Sequence, residues 1–572
     1  MRYIKQIPFW FSLIAIMAVI YEYGFYQETF SQRVLLGIYK SAIILGLISV
    51  IGRYIFLKEQ PAINIRVFDI LFAIFLGALI AGTSGMETMY FFNFTFLRYL
   101  GVFLVFLREF SALESGPKIR FLSPAQLFVT SYFAIILLGT GLLLLPNATY
   151  SGISFTDALF TSTSAFCITG LIVVDTGTYF TVFGQVIILL LIQMGGIGIM
   201  TFSSFFVHFL TRSSTYGGQL MLKDMTNSEK IAEVFSTVKL IIFFTLIIEA
   251  VGAVFIYFSL DKEIINSIED RIYFSVFHSV SGFCNAGFTT LSESLYDTAF
   301  RFNYSLHMII AGLFIAGGLG FPLMYNFFKY LQHYMVNRLF KRRALHVPRV
   351  ININTRIILI TTIILLAGGT FFFYIFEYQN TLAEHQGAGK IISAFFGAAT
   401  PRSAGFNTID TSALGLPTLL LVMFLMWVGA GPASTGGGIK VTAFAIALMN
   451  VVSIARGKDR IEFFGREIFG ESVKKAFAVI LLSFLMMGLS VLLITALEED
   501  KELLAIAFEC FSAYSTVGLS MGITGGLSDA SKLIIIGNMF TGRIGMLIIL
   551  MGLFRNVEHL NYRYPSENVI IS

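Results

Sequence analysis

Four short stretches of this sequence place a glycine behind a small, polar or β-branched pair: SAFCITGL (164–171), SGFCNAGF (281–288), PRSAGF (401–406) and SAYSTVGL (512–519). Their glycines, Gly170, Gly287, Gly405 and Gly518, stand 117, 118 and 113 residues apart. The pairs before them are Ile168/Thr169, Asn285/Ala286, Ser403/Ala404 and Thr516/Val517, with no acid among them. The chemistry such turns offer is therefore that of main-chain carbonyls. About eight of these oxygens around one axis replace the hydration shell of a weakly hydrated monovalent cation, whereas Mg²⁺ or Ca²⁺ would require carboxylates. Glycine lets the turn take backbone angles that a side chain would forbid.

A fifth stretch, VGAGPASTGGGIK (428–440), has the glycine density and terminal lysine of a phosphate-binding loop. That loop needs a strand before it and a helix after it in a soluble α/β unit. Here the flanks are PTLLLVMFLMW and VTAFAIALMNVV, both apolar. Gly429, Gly431, Gly436, Gly437 and Gly438, with Pro432, instead break a helix where a membrane span is expected. Catalytic and metal chemistry find no support. Cys167, Cys284 and Cys510 lack zinc-like spacing, and the seven histidines form no HExxH motif.

The elements that position these turns are membrane helices. Only 13% of residues are charged and 56% are hydrophobic, against roughly 25% charged in a soluble domain. Several runs reach the ~20 apolar residues that cross a hydrocarbon core. The fold expected is an all-α polytopic membrane protein. The N-terminus has the basic start of a signal peptide but no small-residue cleavage site, and reads as a retained first span. Spans are expected near 7–26, 34–56, 66–83 and 89–107, within an N-terminal extension of four helices over 1–120. From there the chain repeats a long apolar helix, a short helix, a glycine turn and a second long helix: 121–225, 226–345, 346–465 and 466–572. The third unit has a broken second helix, and the fourth ends in a cytoplasmic tail.

Linkers between units are basic. The segment 337–356 carries six basic residues and no acid, and Arg456, Lys458, Arg460, Arg466, Lys474 and Lys475 follow the third unit. The positive-inside rule puts these linkers and both termini in the cytoplasm and the glycine turns toward the outside. Two crossings per unit make the units parallel, so that four turns meet at one level around a pseudo-fourfold axis. A non-helical turn at membrane depth survives only if buried or lining a water-filled cavity. Short helices aim their negative C-terminal ends at the centre, and Asp157, Asp270 and the Glu498–Asp500 run suit their N-termini. Arg402 and Glu509 stand beside turns as a scaffold pair or as separate supports.

The four turns, the broken helix of the third unit and GRIG (542–545) in the last span resemble the Trk/Ktr/HKT superfamily of potassium transporters, over about residues 120–560. The resemblance implies membrane–pore–membrane units and K⁺ as the transported ion, with no covalently bound cofactor and no enzymatic step. It implies a filter of Ile168, Thr169, Gly170, Asn285, Ala286, Gly287, Ser403, Ala404, Gly405, Thr516, Val517 and Gly518. Glycine at all four positions is the family pattern for K⁺ preference; a Na⁺-conducting or Na⁺-coupled member is the alternative. Residues 428–440 resemble an intramembrane gating loop, with Lys440 at its end. Arg543 matches an arginine that contacts that loop. Partners implied are a cytosolic nucleotide-binding regulatory subunit, a second copy in a homodimer and the lipid bilayer of a bacterial inner membrane, but no nucleic acid. Met546, Ala433 and Val441 stand where the family usually has proline, glycine and threonine, and the four N-terminal spans exceed the family's minimal core.

Overall fold

A computed structural model describes residues 7–26, 28–55, 63–83, 95–111, 124–198, 234–321, 323–328, 330, 353–546 and 549–550. Arg2, Lys5, most of the basic segment 337–356 and the C-terminal tail lie outside these residues. Helices α1 (Ile7–Gly24), α2 (Thr29–Ile55), α3 (Ile63–Thr83) and α4 (Thr95–Ser111) open the chain. They share a core of their own in which Tyr39, Leu76, Leu79 and Val102 are buried. The bundle meets the rest of the molecule through the end of α1, where Asn147 Nδ2 donates to the Tyr23 carbonyl at 3.1 Å and Tyr23 stacks on Phe183.

Charges fasten this bundle internally. Arg108 of α4 donates from Nε and Nη2 to the two carboxylate oxygens of Asp69 on α3, at 2.7 and 2.8 Å, and Tyr54 of α2 donates to Asp69 at 2.6 Å. Arg53 donates to Glu109 at 2.7 Å. Asp69 is 1% exposed. Removing one partner of a buried pair leaves the other charge unmatched, which costs about 3–5 kcal/mol. Arg108→Ala is therefore expected to lower the thermal stability of the bundle by that amount, measured by urea or heat unfolding in detergent, and Asp69→Asn in the same background to recover most of it.

Four successions of helices follow. The first is α5 (Pro124–Leu143), α6 (Phe155–Phe166) and α7 (Val182–Gly196). The second is α8 (Val234–Ser259), α9 (Ile268–Phe283) and α10 (Tyr304–Leu319). The third is α11 (Ile353–Glu377), α12 (Ala388–Ala399), α13 (Leu416–Trp427) and α14 (Val441–Ala455). The fourth is α15 (Gly470–Leu497), α16 (Leu503–Tyr514) and α17 (Asp529–Ile544). A two-stranded hairpin, β1 (Glu462–Phe463) with β2 (Arg466–Glu467), joins α14 to α15. Helices α1, α2, α8, α11 and α15 contain segments long and apolar enough to cross a membrane.

The short helices cannot cross. Twelve residues, the length of α6, α12 and α16, span roughly 18 Å at 1.5 Å per residue, well under the ~30 Å hydrocarbon core. Their starts are fixed locally. Ser154 caps α6 by accepting from the Asp157 amide, and Ser267 caps α9 by accepting from that of Asp270. Asp157 and Asp270 thus occupy positive helix ends. Glu498 does not do this for α16. It closes α15, and the hydrogen bonds it accepts from Ser528 hold its carboxyl below the usual carboxylate range.

The successions close into a ring. Each short helix packs on the second helix of the preceding unit: α9 on α7, α12 on α10, α16 on α13, and α6 on α17. Lys532 of α17 seals the last junction with a 2.8 Å ion pair to Asp157 of α6.

Candidate functional site: four converging glycine turns

Each short helix ends at its glycine turn, and the four turns share one backbone pattern. Ile168, Asn285, Ser403 and Thr516 have φ of +58°, +60°, +93° and +47°. Two residues later Gly170, Gly287, Gly405 and Gly518 have φ of +87°, +69°, +78° and +94°. Left-handed backbone is costly for L side chains, so holding it at Ile168, Asn285, Ser403 and Thr516 means the surroundings enforce it, while the glycines adopt it freely.

The glycines also touch. A Cβ placed on Gly287 would lie 2.8 Å from the Ala404 carbonyl oxygen and 3.0 Å from the Gly405 Cα. On Gly170 it would meet the Ala286 oxygen, on Gly405 the Val517 oxygen, and on Gly518 the Thr169 oxygen. The order 170, 287, 405, 518 and back to 170 is a closed cycle. Each turn presses the carbonyl of its middle residue against the glycine of the preceding one. All four glycines line a single cavity of about 350 Å³, which Asp175, Thr176, Glu293 and Asn407 also line.

A hydroxyl straps each turn. Ser164, Ser281 and Thr400 donate to the carbonyls of Leu171, Phe288 and Phe406 at 2.7, 2.6 and 2.6 Å. Ser164 and Ser512 accept from the amides of Gly170 and Gly518, both at 3.1 Å. The backbone repeats the device. The amides of Thr169, Ala286, Ala404 and Val517 donate to the carbonyls of Ser164, Ser281, Thr400 and Ser512 at 2.8–2.9 Å. Sequence reasoning missed these hydroxyls, although a Ser or Thr five or six residues before every glycine was there to be found. Ser281→Ala leaves the Phe288 carbonyl without its donor, at about 1–3 kcal/mol. Amide exchange in 281–288 is expected to speed up about tenfold or more, as read by hydrogen–deuterium exchange.

The second helices of the first, second and fourth units reach a positive-φ glycine at matching positions. Gly198, Gly320 and Gly545 have φ of +95°, +88° and +89°, in the tetrads GGIG, GGLG and GRIG. Three residues earlier, Gly195, Gly317 and Gly542 lie against the carbonyls that end the short helices: Phe166, Phe283 and Tyr514. A side chain there would strike backbone. In the third unit the break widens into residues 428–440.

That loop is pinned on all sides. Within it, the Gly429 amide donates to the Ile439 carbonyl at 3.0 Å and Lys440 Nζ to the Gly436 carbonyl at 2.7 Å. Toward α10, the Gly431 amide donates to Gly318 at 2.8 Å and the Thr435 amide to Gly317 at 3.3 Å. The Phe321 amide returns a bond to the Ala433 carbonyl at 3.1 Å. Toward the turns, Thr435 Oγ1 donates to the Phe283 carbonyl at 3.3 Å, and Ser403 Oγ accepts from the Gly437 amide at 3.0 Å. Ser403 Oγ also donates to the Thr516 carbonyl at 3.1 Å. Arg543, 5% exposed, donates to the carbonyls of Thr435 and of Gly195, the latter at 2.9 Å.

The structure therefore brings together all twelve turn residues, the loop glycines and Arg543. Lys440 bonds within the loop. Arg402 and Glu509 do not pair: Arg402 donates to the Gly429 carbonyl at 3.2 Å, while Glu509 accepts from Ser520, the Met521 amide and Thr524. They are separate supports. The three cysteines are free and buried, and among the described residues no cluster of His, Cys, Asp or Glu could hold a metal.

Comparison with known proteins gives the family and the fold. The family described as TrkH, cation transport protein, matches residues 92–559, so α1–α3 precede the match and α4 falls inside it. The Ktr system potassium uptake protein B of Bacillus subtilis is 37% identical over 453 residues, covering 79% of this chain and 97% of that protein. The potassium/sodium uptake protein NtpJ of Enterococcus hirae is 36% identical, with 79% and 97% covered. Among solved structures, the potassium transporter TrkH from Vibrio parahaemolyticus shares the fold at a TM-score of 0.60 and 17% identity, covering 85% of this chain and 96% of that one.

Proposed function

The chain belongs to the TrkH family of cation transport proteins, and from that premise we propose that it takes up K⁺ through the ring of glycine turns, with residues 428–440 as the gate. It is a transporter and not an enzyme. The closed cycle of contacts among Gly170, Gly287, Gly405 and Gly518 supports the reading most directly. It packs backbone against backbone at the centre of four parallel units, taken as 121–225, 226–345, 346–465 and 466–572. Carbonyls of the residues before each glycine substitute for water around the ion. Four short helices contribute their negative C-terminal ends to the same point. An inside-negative potential supplies ~2.3 kcal/mol per 100 mV for each charge moved inward, so accumulation needs no hydrolysis by this chain.

The loop lies beneath turns two, three and four, and Arg543 bolts it to α7. A loop held by so many backbone bonds is a barrier with a defined closed state. Its release is the job of the cytosolic nucleotide-binding subunit, which docks from the cytoplasmic side of a bacterial inner membrane, the transporter working as a homodimer. Sodium conduction is the weaker alternative, because no turn substitutes another residue for its glycine.

The deciding experiment is ⁸⁶Rb⁺ uptake into liposomes containing the purified protein, with K⁺ and Na⁺ as competitors. K⁺ is expected to suppress uptake at concentrations where Na⁺ has little effect. Equal competition by the two ions rejects a K⁺ filter; no protein-dependent uptake under an inside-negative potential rejects cation transport through this ring.

A further inference from the structure

We infer that Glu249 of α8 is a positioning residue for the second glycine turn and sets ion discrimination from outside the ring. The inference rests on reading the four turns as the filter. Glu249 is 5% exposed, near the middle of a helix otherwise rich in apolar residues. One carboxylate oxygen accepts from Gln193 Nε2 on α7 at 2.9 Å, and the other from Cys284 Sγ at 3.4 Å. The Glu249 backbone carbonyl accepts from Ser279 Oγ on α9 at 2.6 Å. Among the described residues no basic side chain pairs with it. Arg543 reaches the same end of α7 but donates to the Gly195 and Thr435 carbonyls.

Cys284 is the lever. It closes α9 and directly precedes Asn285, whose left-handed backbone (φ +60°) opens the turn. Gly196 of α7 also approaches so closely that a Cβ there would lie 2.8 Å from the Cys284 Cβ. The Cys284 side chain is thus held by both Gly196 and the Glu249 carboxylate, and its backbone cannot rotate without disturbing these contacts. The residue at the same place in the third turn, Arg402, is also anchored, to the Gly429 carbonyl. A carboxylate inside a membrane helix is costly and is a functional residue by default. Apolar side chains would fill the same space without that cost. What they could not supply is an acceptor that spans α7, α8 and the turn at once. A binding constellation has to be held within about 0.5 Å by groups behind it, and Glu249 holds turn two in this way.

The test compares Glu249→Ala, Glu249→Gln and Cys284→Ala, each purified into liposomes, by the ratio of K⁺ to Na⁺ needed to suppress ⁸⁶Rb⁺ uptake. Glu249→Ala is expected to lower discrimination about tenfold while total cation flux persists, the scale set by losing hydrogen bonds to a charged group. Glu249→Gln keeps one oxygen as acceptor for Cys284, and its amide NH2 can donate to the buried Gln193 Oε1, which has no partner in the native contact, so it is expected to stay within about threefold of wild type. If Glu249→Ala changes thermal stability and flux but leaves the ratio intact, the residue is merely structural and the proposal fails. If Glu249→Gln is as damaging as Glu249→Ala, the acceptor bracket is not what matters and it fails again. Should Glu249→Ala not fold, Cys284→Ala cuts the same bond with the carboxylate in place, and an unchanged ratio there overturns the proposal. Gly287→Ser runs alongside: if it too leaves the ratio unchanged, the filter reading itself is wrong; if it alone abolishes discrimination, only the role of Glu249 is.

Discussion

Gly287→Ser is expected to lose most discrimination between K⁺ and Na⁺, by about 10–100-fold in the competition ratio. Two independent costs converge on this position. At φ +69° an L side chain pays about 1–2 kcal/mol for the left-handed backbone alone. The new Cβ would then sit 2.8 Å from the Ala404 oxygen and 3.0 Å from the Gly405 Cα, both backbone atoms. Neither can swing aside as a flexible side chain would, so one or both turns must shift. Because the contacts run in a cycle, a shift at turn two is passed to turn three. Any such displacement moves the carbonyls that stand in for water, and the ion that fits best changes. Gly312→Ala on α10 is the control, since a Cβ there meets nothing within 4 Å. It is expected to leave the ratio untouched. Wild-type discrimination in Gly287→Ser would mean that the ring does not choose the ion.

The parts of this site that were legible in the sequence are those that need glycine. A turn that must hold positive φ and let another backbone approach accepts almost nothing else, and so Gly170, Gly287, Gly405 and Gly518 stand out at nearly even intervals. The loop at 428–440 was visible because no apolar helix tolerates Pro432 and five glycines in so short a space. What stayed hidden depends on residues with many other uses. A serine in a short helix is common, so Ser164, Ser281 and Ser512 carry no signature of the straps they form. The breaks at Gly198 and Gly320 resemble ordinary helix-packing glycines, and only GRIG drew attention, through its arginine. Pairings across long stretches of chain carry no local signature at all. Glu249 with Cys284, 35 residues on, and Asp69 with Arg108, 39 residues on, are products of packing. The expectation that Glu498 would serve the N-terminus of α16 failed for the same reason: it pairs with Ser528, 30 residues on.

Arg543→Gln is expected to raise basal Rb⁺ flux about 10–100-fold in liposomes that lack any cytosolic partner. The guanidinium joins three elements: it is rooted in α17, donates to Gly195 at the end of α7, and donates to Thr435 in the loop. Each bond from a charged donor contributes about 1.5–3 kcal/mol, and only the bond to Thr435 holds the loop itself. Losing it shifts the balance between closed and open loop by one to two powers of ten. Electrostatics act in the same direction. A fixed positive charge beside the loop opposes a passing cation, and glutamine removes that opposition. Arg543→Lys separates the two effects. It keeps the charge but cannot form the fork that reaches two carbonyls together. Flux that rises as far in Arg543→Lys as in Arg543→Gln assigns the effect to the lost bolt, whereas a wild-type value in Arg543→Lys assigns it to charge. A fall in flux in Arg543→Gln, with the protein folded and Gly287 intact, would show that residues 428–440 are not the barrier, because releasing a closed gate cannot slow the ion.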